Sequence, residues 1–293
     1  MKKLIISCDD LGVSKETNLG IKNCLDERVA TSSSIIANGA CYEHALNTVV
    51  TRTPIKFYGL HLNLTEGKAL NRKCVNIICD EDNIFKISAK KYFLLNFGKL
   101  NKKFGKTIYN EFKSQIEKVL KDGIKISHFD SHEHIHHSPW IFKIITDLGK
   151  EFNINKIRFV NEKIILKNYF KNAYYKLKSL NYLKHFVISV CNKKIKNTFS
   201  SPDYFFGILN SGKIEINELL LYLDSINQGK TIELCIHPAN KFTDEIYNVK
   251  NIGPESFYKD KNRLIEKNLI LGDELKKFLT HKKINLINFS EIS

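Results

Sequence analysis

Lys3-Leu4-Ile5-Ile6-Ser7-Cys8-Asp9-Asp10-Leu11-Gly12 is an apolar run that stops abruptly on two carboxylates and a glycine. A short run of this kind reads as a buried strand delivering polar groups at its C-terminal end. An amphipathic stretch over 15–27 follows it, and the same unit recurs along the chain. Further strands are expected at 32–37, 57–62, 126–130, 156–160, 196–200, 231–236 and 284–288. Helices are expected at 41–50, 106–122, 138–150, 214–227 and 261–280 between them. The clearest is 106–122, where Ile108, Phe112, Ile116, Val119 and Leu120 recur at helical spacing and Gly123 stops the helix. Strand–helix alternation over 293 residues predicts an α/β protein with a mainly parallel sheet. Eight strands suggest a distorted (β/α) TIM-like barrel. An open doubly wound sheet is the alternative, but no glycine-rich G-x-G-x-x-G opens the first helix. The whole of 1–293 reads as one domain with two excursions, about 71–105 and 161–195.

Composition narrows the function classes. The net charge is +15, from 46 Lys and Arg against 31 Asp and Glu. The excess is local, because 86–106 holds seven Lys without an acid and 161–196 holds nine Lys with Glu162 alone. Only five of the 46 cations are Arg, the residue favoured for bidentate phosphate and guanine contacts, which argues against a nucleic-acid partner. An anionic or glycan partner suits these Lys-rich, aromatic-bearing stretches better; peripheral contact with a membrane surface also stays open. Their aromatics, Tyr92, Phe93, Phe97 and Phe104, then Tyr169, Phe170, Tyr174, Tyr175, Tyr182 and Phe186, would otherwise simply bury beneath a solvated Lys face. No apolar run reaches the roughly 18 residues of a membrane helix, and the N-terminus does not read as a signal peptide. Seven scattered cysteines without a C-x-x-C pair read as reduced thiols of a cytoplasmic protein.

In parallel α/β folds functional groups gather at the C-terminal ends of strands. Here those ends carry Asp9-Asp10, His61, the segment Asp130-Ser131-His132-Glu133-His134-Ile135-His136-His137, and His237. Two adjacent carboxylates can serve one site only where the strand breaks into a turn, which Gly12 supplies; otherwise the pair merely caps a helix. A lone His61 in an apolar strand would be an ordinary core histidine. Residues 130–137, with four His, one Asp and one Glu, are the strongest local signal for a divalent metal, although no H-E-x-x-H occurs. His237 before Pro238 is either a proton donor or a turn residue. Ser201-Pro202-Asp203-Tyr204-Phe205-Phe206-Gly207 is a candidate for substrate contact or a plain turn.

Taken in order, L-I-I-S-C-D-D-L-G, G-L-H-L-N-L-T-E-G, F-D-S-H-E-H-I-H, S-P-D-Y-F-F-G and E-L-C-I-H-P resemble the YdjC-like (ChbG-type) carbohydrate deacetylases, from residue 4 to about 280. The resemblance implies metal-dependent hydrolysis of an N-acetyl group from an amino-sugar oligosaccharide or glycoconjugate. It implies Asp9 as base, Asp10, His61 and His132 as metal ligands, and His237 as general acid. Asp130, Asp203 and Arg263 take supporting or substrate-binding places. It points to Mg²⁺, whereas donor softness also admits Zn²⁺, Co²⁺ or Mn²⁺. Leu11 and Ala239-Asn240 depart from the family pattern, and the Lys-rich excursions are longer than its usual connections. A homodimer is compatible with the resemblance. The competing readings are a two-metal phosphoesterase that also uses His134, His136 and His137, and a basic glycan- or nucleic-acid-binding protein. A role in surface-polysaccharide or glycolipid synthesis is a further variant.

Overall fold

The computed structural model describes residues 1–94, 102–165, 180–242 and 260–292. Among these residues seven parallel strands form one sheet: β1 (Lys3–Leu11), β2 (Ser32–Ile35), β3 (Phe57–Leu62), β4 (Lys125–Ser131), β5 (Tyr204–Phe206), β6 (Thr231–Ile236) and β7 (Asn285–Leu286). Their order is β4-β3-β2-β1-β6-β5, with β7 pairing the start of β1. Helices α1 (Lys15–Asp26), α2 (Tyr42–Ala45), α3 (Ala89–Leu94), α4 (Lys102–Lys121), α5 (Pro139–Glu151), α6 (Leu180–Asn192), α7 (Ile216–Ser225), α8 (Lys261–Leu271) and α9 (Asp273–His281) connect or follow the strands.

β1 is central because its residues from Leu4 to Leu11 are all buried. It pairs β6 from Lys3 to Cys8 and β2 from Ser7 to Leu11. Burying each of its aliphatic side chains contributes about 1.5–3 kcal/mol. Ser14 caps α1 by accepting the Thr17 N–H at 3.0 Å, the ordinary device for satisfying an orphan helix donor. On α4, Ile108, Phe112, Ile116 and Val119 are buried as their spacing requires, but Leu120 is 41% exposed. The expected helix at 41–50 is α2 plus a π-helical turn, Leu46–Val50. That at 261–280 divides into α8 and α9 at Gly272.

The expected barrel is not what the ladders form: the sheet is α/β, single-domain and open. Among the described residues only isolated bridges occur between β4 and β5, Phe129 with Ile157 and Lys156 with Ser200. The expected strand at 156–160 pairs only at its start, where the Lys156 carbonyl and Arg158 N–H bond Phe129 and the Ile157 N–H bonds Ser200, and fails beyond because side chains take the next backbone groups. The Val160 N–H donates to His137 Nε2, the Val160 carbonyl accepts from Asn192, and the Arg158 carbonyl meets His136 Nε2. The expected strand at 196–200 keeps one bridge at Ser200, and β5 begins only beyond Pro202, which has no N–H to give a ladder. In the first excursion Tyr92 and Phe93 are buried, and Phe104 packs on Trp140 with centroids 5.8 Å apart. The second holds α6, with Tyr182 half-buried and Phe186 exposed. Residues 95–101 and 166–179, with Phe97, Tyr169, Phe170, Tyr174 and Tyr175, lie outside the described residues.

Candidate metal centre

The strand ends converge as the parallel topology requires. At the end of β1 the chain turns on Asp10 (φ 70°) and Gly12 (φ 101°). Asn18 on α1 fixes that turn by accepting the Gly12 N–H at 2.7 Å. Asp9 and Asp10 thereby serve one buried cluster from adjacent positions.

His61 ends β3 beside Asp130 of β4, its register partner. Its Nδ1 lies 3.0 Å from Asp130 Oδ1, and its Nε2 lies 3.7 Å from Asp10 Oδ1. A carboxylate on one ring nitrogen fixes the tautomer and aims the other nitrogen as a ligand. His132 Nδ1 lies 3.2 Å from the same Asp10 oxygen. Its Nε2 meets Glu66 Oε2 at 3.2 Å. Positive φ at Glu133 (53°) and His134 (58°) shapes the turn after His132, a conformation that non-glycine residues hold only when their surroundings enforce it. Ser131 Oγ enforces it by accepting the His136 N–H at 2.9 Å.

Asp10 Oδ1, His61 and His132 each offer a donor atom, all within 4.8 Å of one another. Two ligands at about 2.1 Å from one cation stand about 3.0–3.4 Å apart at octahedral or tetrahedral angles, close to the 3.2 and 3.7 Å found here. Asp10 Oδ1 is buried yet receives no well-directed hydrogen bond among the described residues. A cation between these lone pairs satisfies all three, so the residues fit a divalent metal. Two other sets, Asp9 with Cys235 and His237, and Asp9 with His61 and Asp130, also fall within this distance. Both share Asp9, whose two oxygens already hold the Arg158 guanidinium, so the Asp10 set is the better site.

Charge in the cluster is tightly disposed. Burial opposes ionisation of Asp10, but Arg263, 2.5 Å from its Oδ2, and then His132 hold the carboxyl well below the usual range. Burial also opposes charge on the two imidazoles. Asp130 and Asp9 nevertheless raise His61, and Glu66 and Asp10 raise His132 well above the ordinary value. The fully buried Arg158 is the opposing hub. Its Nη1 and Nη2 bind Asp9 at 2.6 and 2.8 Å, Nη1 reaches Asp130 at 2.8 Å, and Nη2 and Nε reach Glu233 at 2.7 and 2.8 Å. Four of its five N–H groups are thus used in hydrogen bonds, and Nη1 meets Asp130 as an ion pair. Cys235 Sγ adds a contact to Asp9 Oδ2 at 3.1 Å.

His237, 16% exposed at its side chain, faces the cluster from the end of β6. Glu266 of α8 holds it, accepting its backbone N–H at 2.7 Å with Nδ1 3.7 Å away. Asp203 is placed elsewhere: it binds Lys230 and the Thr231 N–H, both at 2.8 Å. Thr231 pairs Lys3 at the start of β1, so the strand rise leaves Asp203 on the order of 20 Å from the Asp9 level. His136 and His137 are committed to the scaffold described above. Burial keeps both neutral, His137 pushed down to about 3.

Sequence reasoning missed Arg158, Glu233, Glu66 and Glu266. The first two break otherwise apolar strand patterns, 156–160 and 231–236, which is a readable signal. Glu66 stands inside the G-L-H-L-N-L-T-E-G motif, on a loop caged by Asn63, whose Oδ1 accepts the Thr65 and Glu66 N–H groups at 3.0 and 3.2 Å.

A sequence-family model described as YdjC-like protein matches residues 3–281. A carbohydrate deacetylase of Clostridium beijerinckii is 28% identical over 290 residues, covering 99% of this chain and 100% of that one. One from Brevibacillus brevis is 25% identical, covering 99% of each, and one from Xenopus laevis is 26% identical, covering 99% and 98%. A crystal structure of an Enterococcus faecalis protein superposes with a TM-score of 0.71 at 21% identity, over 98% of this chain and 97% of that one, which shows a common fold. Family match, full-length relatives and fold agree, and the chain belongs to the YdjC-like protein family.

Proposed function

We propose that the chain is a metal-dependent carbohydrate N-deacetylase, releasing acetate from an N-acetylated saccharide or glycoconjugate. The observation that carries this reading is the convergence of Asp10 Oδ1, His61 and His132 on one point. These three residues would hold the ion, Mg²⁺ by family likeness, with Zn²⁺, Co²⁺ or Mn²⁺ also suited to a mixed nitrogen and oxygen set. When bound, a divalent cation polarises the acetyl carbonyl and lowers the pKa of a water.

The chain's own residues supply the proton transfers. Asp9 takes the proton of the attacking water. A carboxylate has about four lone-pair positions, and Arg158 and Cys235 occupy three of them, two on Oδ2 and one on Oδ1. One position on Oδ1 stays open as the acceptor. Water oxygen bonds to the acetyl carbon, the C–N bond breaks, and His237, steadied by Glu266, protonates the departing amine. Asp130 orients His61, and Arg263 orients Asp10. The seven cysteines are all free, which fits a reducing cytoplasm.

The test is acetate release from N-acetylated chito-oligosaccharides, with and without chelator, alongside metal counting. One metal per chain and chelator-sensitive release are expected. Asp9→Asn should abolish turnover and keep the metal. Turnover that persists in Asp9→Asn removes Asp9 from the base role, and chelator-insensitive release refutes metal dependence.

A further inference from the structure

The two Lys-rich excursions meet at the end of the sheet that carries the metal centre. α3, in the first, is held there by the residues that follow the His-rich turn. The Tyr92 carbonyl accepts from Ser138 Oγ at 3.0 Å and from Trp140 Nε1 at 3.1 Å. α6, in the second, reaches the same turn through Asn192, whose Oδ1 lies 2.6 Å from His137 Nδ1. Phe93 of α3 is buried in one cluster with Ile188 and Cys191 of α6 and with Phe205 and Cys235. Cys235 Sγ in turn touches Asp9. These contacts fix the inward side of both helices.

The outward side is apolar. Leu180, Leu183 and Phe186 recur three residues apart along α6, within about a third of its circumference. They are 82%, 59% and 64% exposed, and Leu94 at the end of α3 is 56% exposed. Ile164, 42% exposed, lines a cleft with Tyr182 at the start of α6. Large apolar side chains that stand together in water mark an interaction surface. Exposed lysines flank them along the chain: Lys90 and Lys91 before Leu94, Lys163 before Ile164, and Lys193 and Lys194 just past α6. The one acid of 161–196, Glu162, is turned inward, where it accepts the Gly207, Ile208 and Leu209 N–H groups at 3.2, 2.8 and 3.1 Å. The whole net charge of +15 comes from 86–106 and 161–196, the rest of the chain carrying equal numbers of cations and acids.

We propose that α6 and the adjoining end of α3 form a docking surface for an anionic lipid bilayer. Leu180, Leu183 and Phe186 enter the headgroup region, and the lysines are drawn to acidic headgroups. Charge selects this occupant. A second copy docked by the same face would set like charge against like. A nucleic acid offers phosphates and stacking bases, but no hydrocarbon for aliphatic side chains. A bilayer supplies both hydrocarbon and negative charge. Because both helices are tied to the turn that follows β4, docking brings the metal-centre end of the sheet to the headgroups, where a lipid-carried saccharide is presented. The surface stands on the two excursions and does not depend on the deacetylase reading.

The experiment sediments the full chain with vesicles of phosphatidylcholine, alone or mixed with phosphatidylglycerol, and reads the oligomeric state without lipid by analytical ultracentrifugation. Wild type should partition about 10–100-fold more strongly onto the mixed vesicles, and added salt should weaken this. Leu183→Ser with Phe186→Ser should lower binding to the mixed vesicles about 10-fold or more. Lys91→Glu with Lys193→Glu should lower it about 10–100-fold. All four positions are exposed, so Tm should hold. Leu221→Ser, at an exposed leucine of α7, should leave binding unchanged. Equal binding to both kinds of vesicle, or to neither, overturns the proposal. So does binding that ignores Leu183→Ser with Phe186→Ser, or that Leu221→Ser weakens as much, since either is the unspecific adhesion of a basic protein. A wild-type dimer that Leu183→Ser with Phe186→Ser splits also overturns it, because the face is then an interface between copies. Vesicle binding without any acetate release would leave this proposal standing and sink the deacetylase reading; acetate release without vesicle binding would do the reverse.

Discussion

Replacing Arg158 with methionine removes one guanidinium from among three buried carboxylates, Asp9, Asp130 and Glu233. Methionine fills much of the space, so packing changes little and the loss is electrostatic. Breaking a buried ion pair costs about 3–5 kcal/mol because the partners stay buried and uncompensated. In a chain somewhat larger than 150–250 residues each kcal/mol lowers Tm by about 2–4 °C, so Tm should fall by about 6–20 °C at pH 7. The deficit has a definite pH dependence. Burial opposes ionisation of Asp130, but His61 and Arg158 outweigh it and hold the carboxyl below its ordinary value. A depressed carboxylate contributes stability that is present above its unfolded pKa, about 3.9, and lost as pH falls through the folded one. Without Arg158 part of that contribution is gone, so variant and wild type should converge as the medium is acidified below about pH 4. Arg158→Lys keeps the charge but has three N–H groups in place of five, and should fall between the two. Scanning calorimetry from pH 3 to 8 measures all of this. A Tm within about 2 °C of wild type at pH 7, or a deficit that stays constant with pH, would refute the hub assignment.

Asp130→Ala should weaken metal binding about 10–100-fold, as loss of an orienting partner does; competition with a chelating dye measures it, and a change below about twofold contradicts the His61–Asp130 coupling. Because nearby carboxylates raise His61 and His132 against the effect of burial, metal must displace protons, so affinity should climb as pH rises above the ordinary imidazole pKa of about 6.5, with proton release. Calorimetry in buffers of different ionisation enthalpy reads that release directly, and a pH-independent affinity would contradict it. Gly20→Ala places a Cβ 2.5 Å from the Ala239 Cα, backbone that cannot swing aside. Overpacking costs about 1–3 kcal/mol, and the push falls two residues from His237, so kcat should drop with metal content unchanged; an unaltered kcat would show that the His237 loop yields freely.

Much of the centre was legible because parallel strands deliver polar residues at one end, and Asp9, Asp10, His61, Asp130, His132 and His237 all stand there. Strands 57–62 and 231–236 form over the whole of their expected spans. What failed depended on neighbours far apart in sequence. Nothing local to 156–160 says that His136, His137 and Asn192 will take the backbone groups at its end, so an eighth strand and a distorted (β/α) TIM-like barrel were expected. Asp203 reads as a turn residue near a strand end, but its ties to Lys230 and Thr231 put it at the opposite end of the sheet. The His-rich segment divides for the same reason. Among the described residues of that segment, His132 is the one grouped with Asp10 and His61, while His136 and His137 brace the gap between β4 and the chain beyond it. Arg158 interrupts the apolar pattern of 156–160, but nothing local names its distant partners Asp9, Asp130 and Glu233.

The left-handed backbone at Asp10 also limits how the centre can be redesigned. Only glycine, asparagine and aspartate visit that conformation readily, and other residues pay roughly 1–2 kcal/mol to enter it. A histidine or glutamate grafted at position 10 to suit a softer or larger ion would meet that strain before forming any bond to it. On the proposed ligand set, retuning for another ion is therefore easier at positions 61 and 132 or their carboxylate partners, with residue 10 left as the fixed corner of the design.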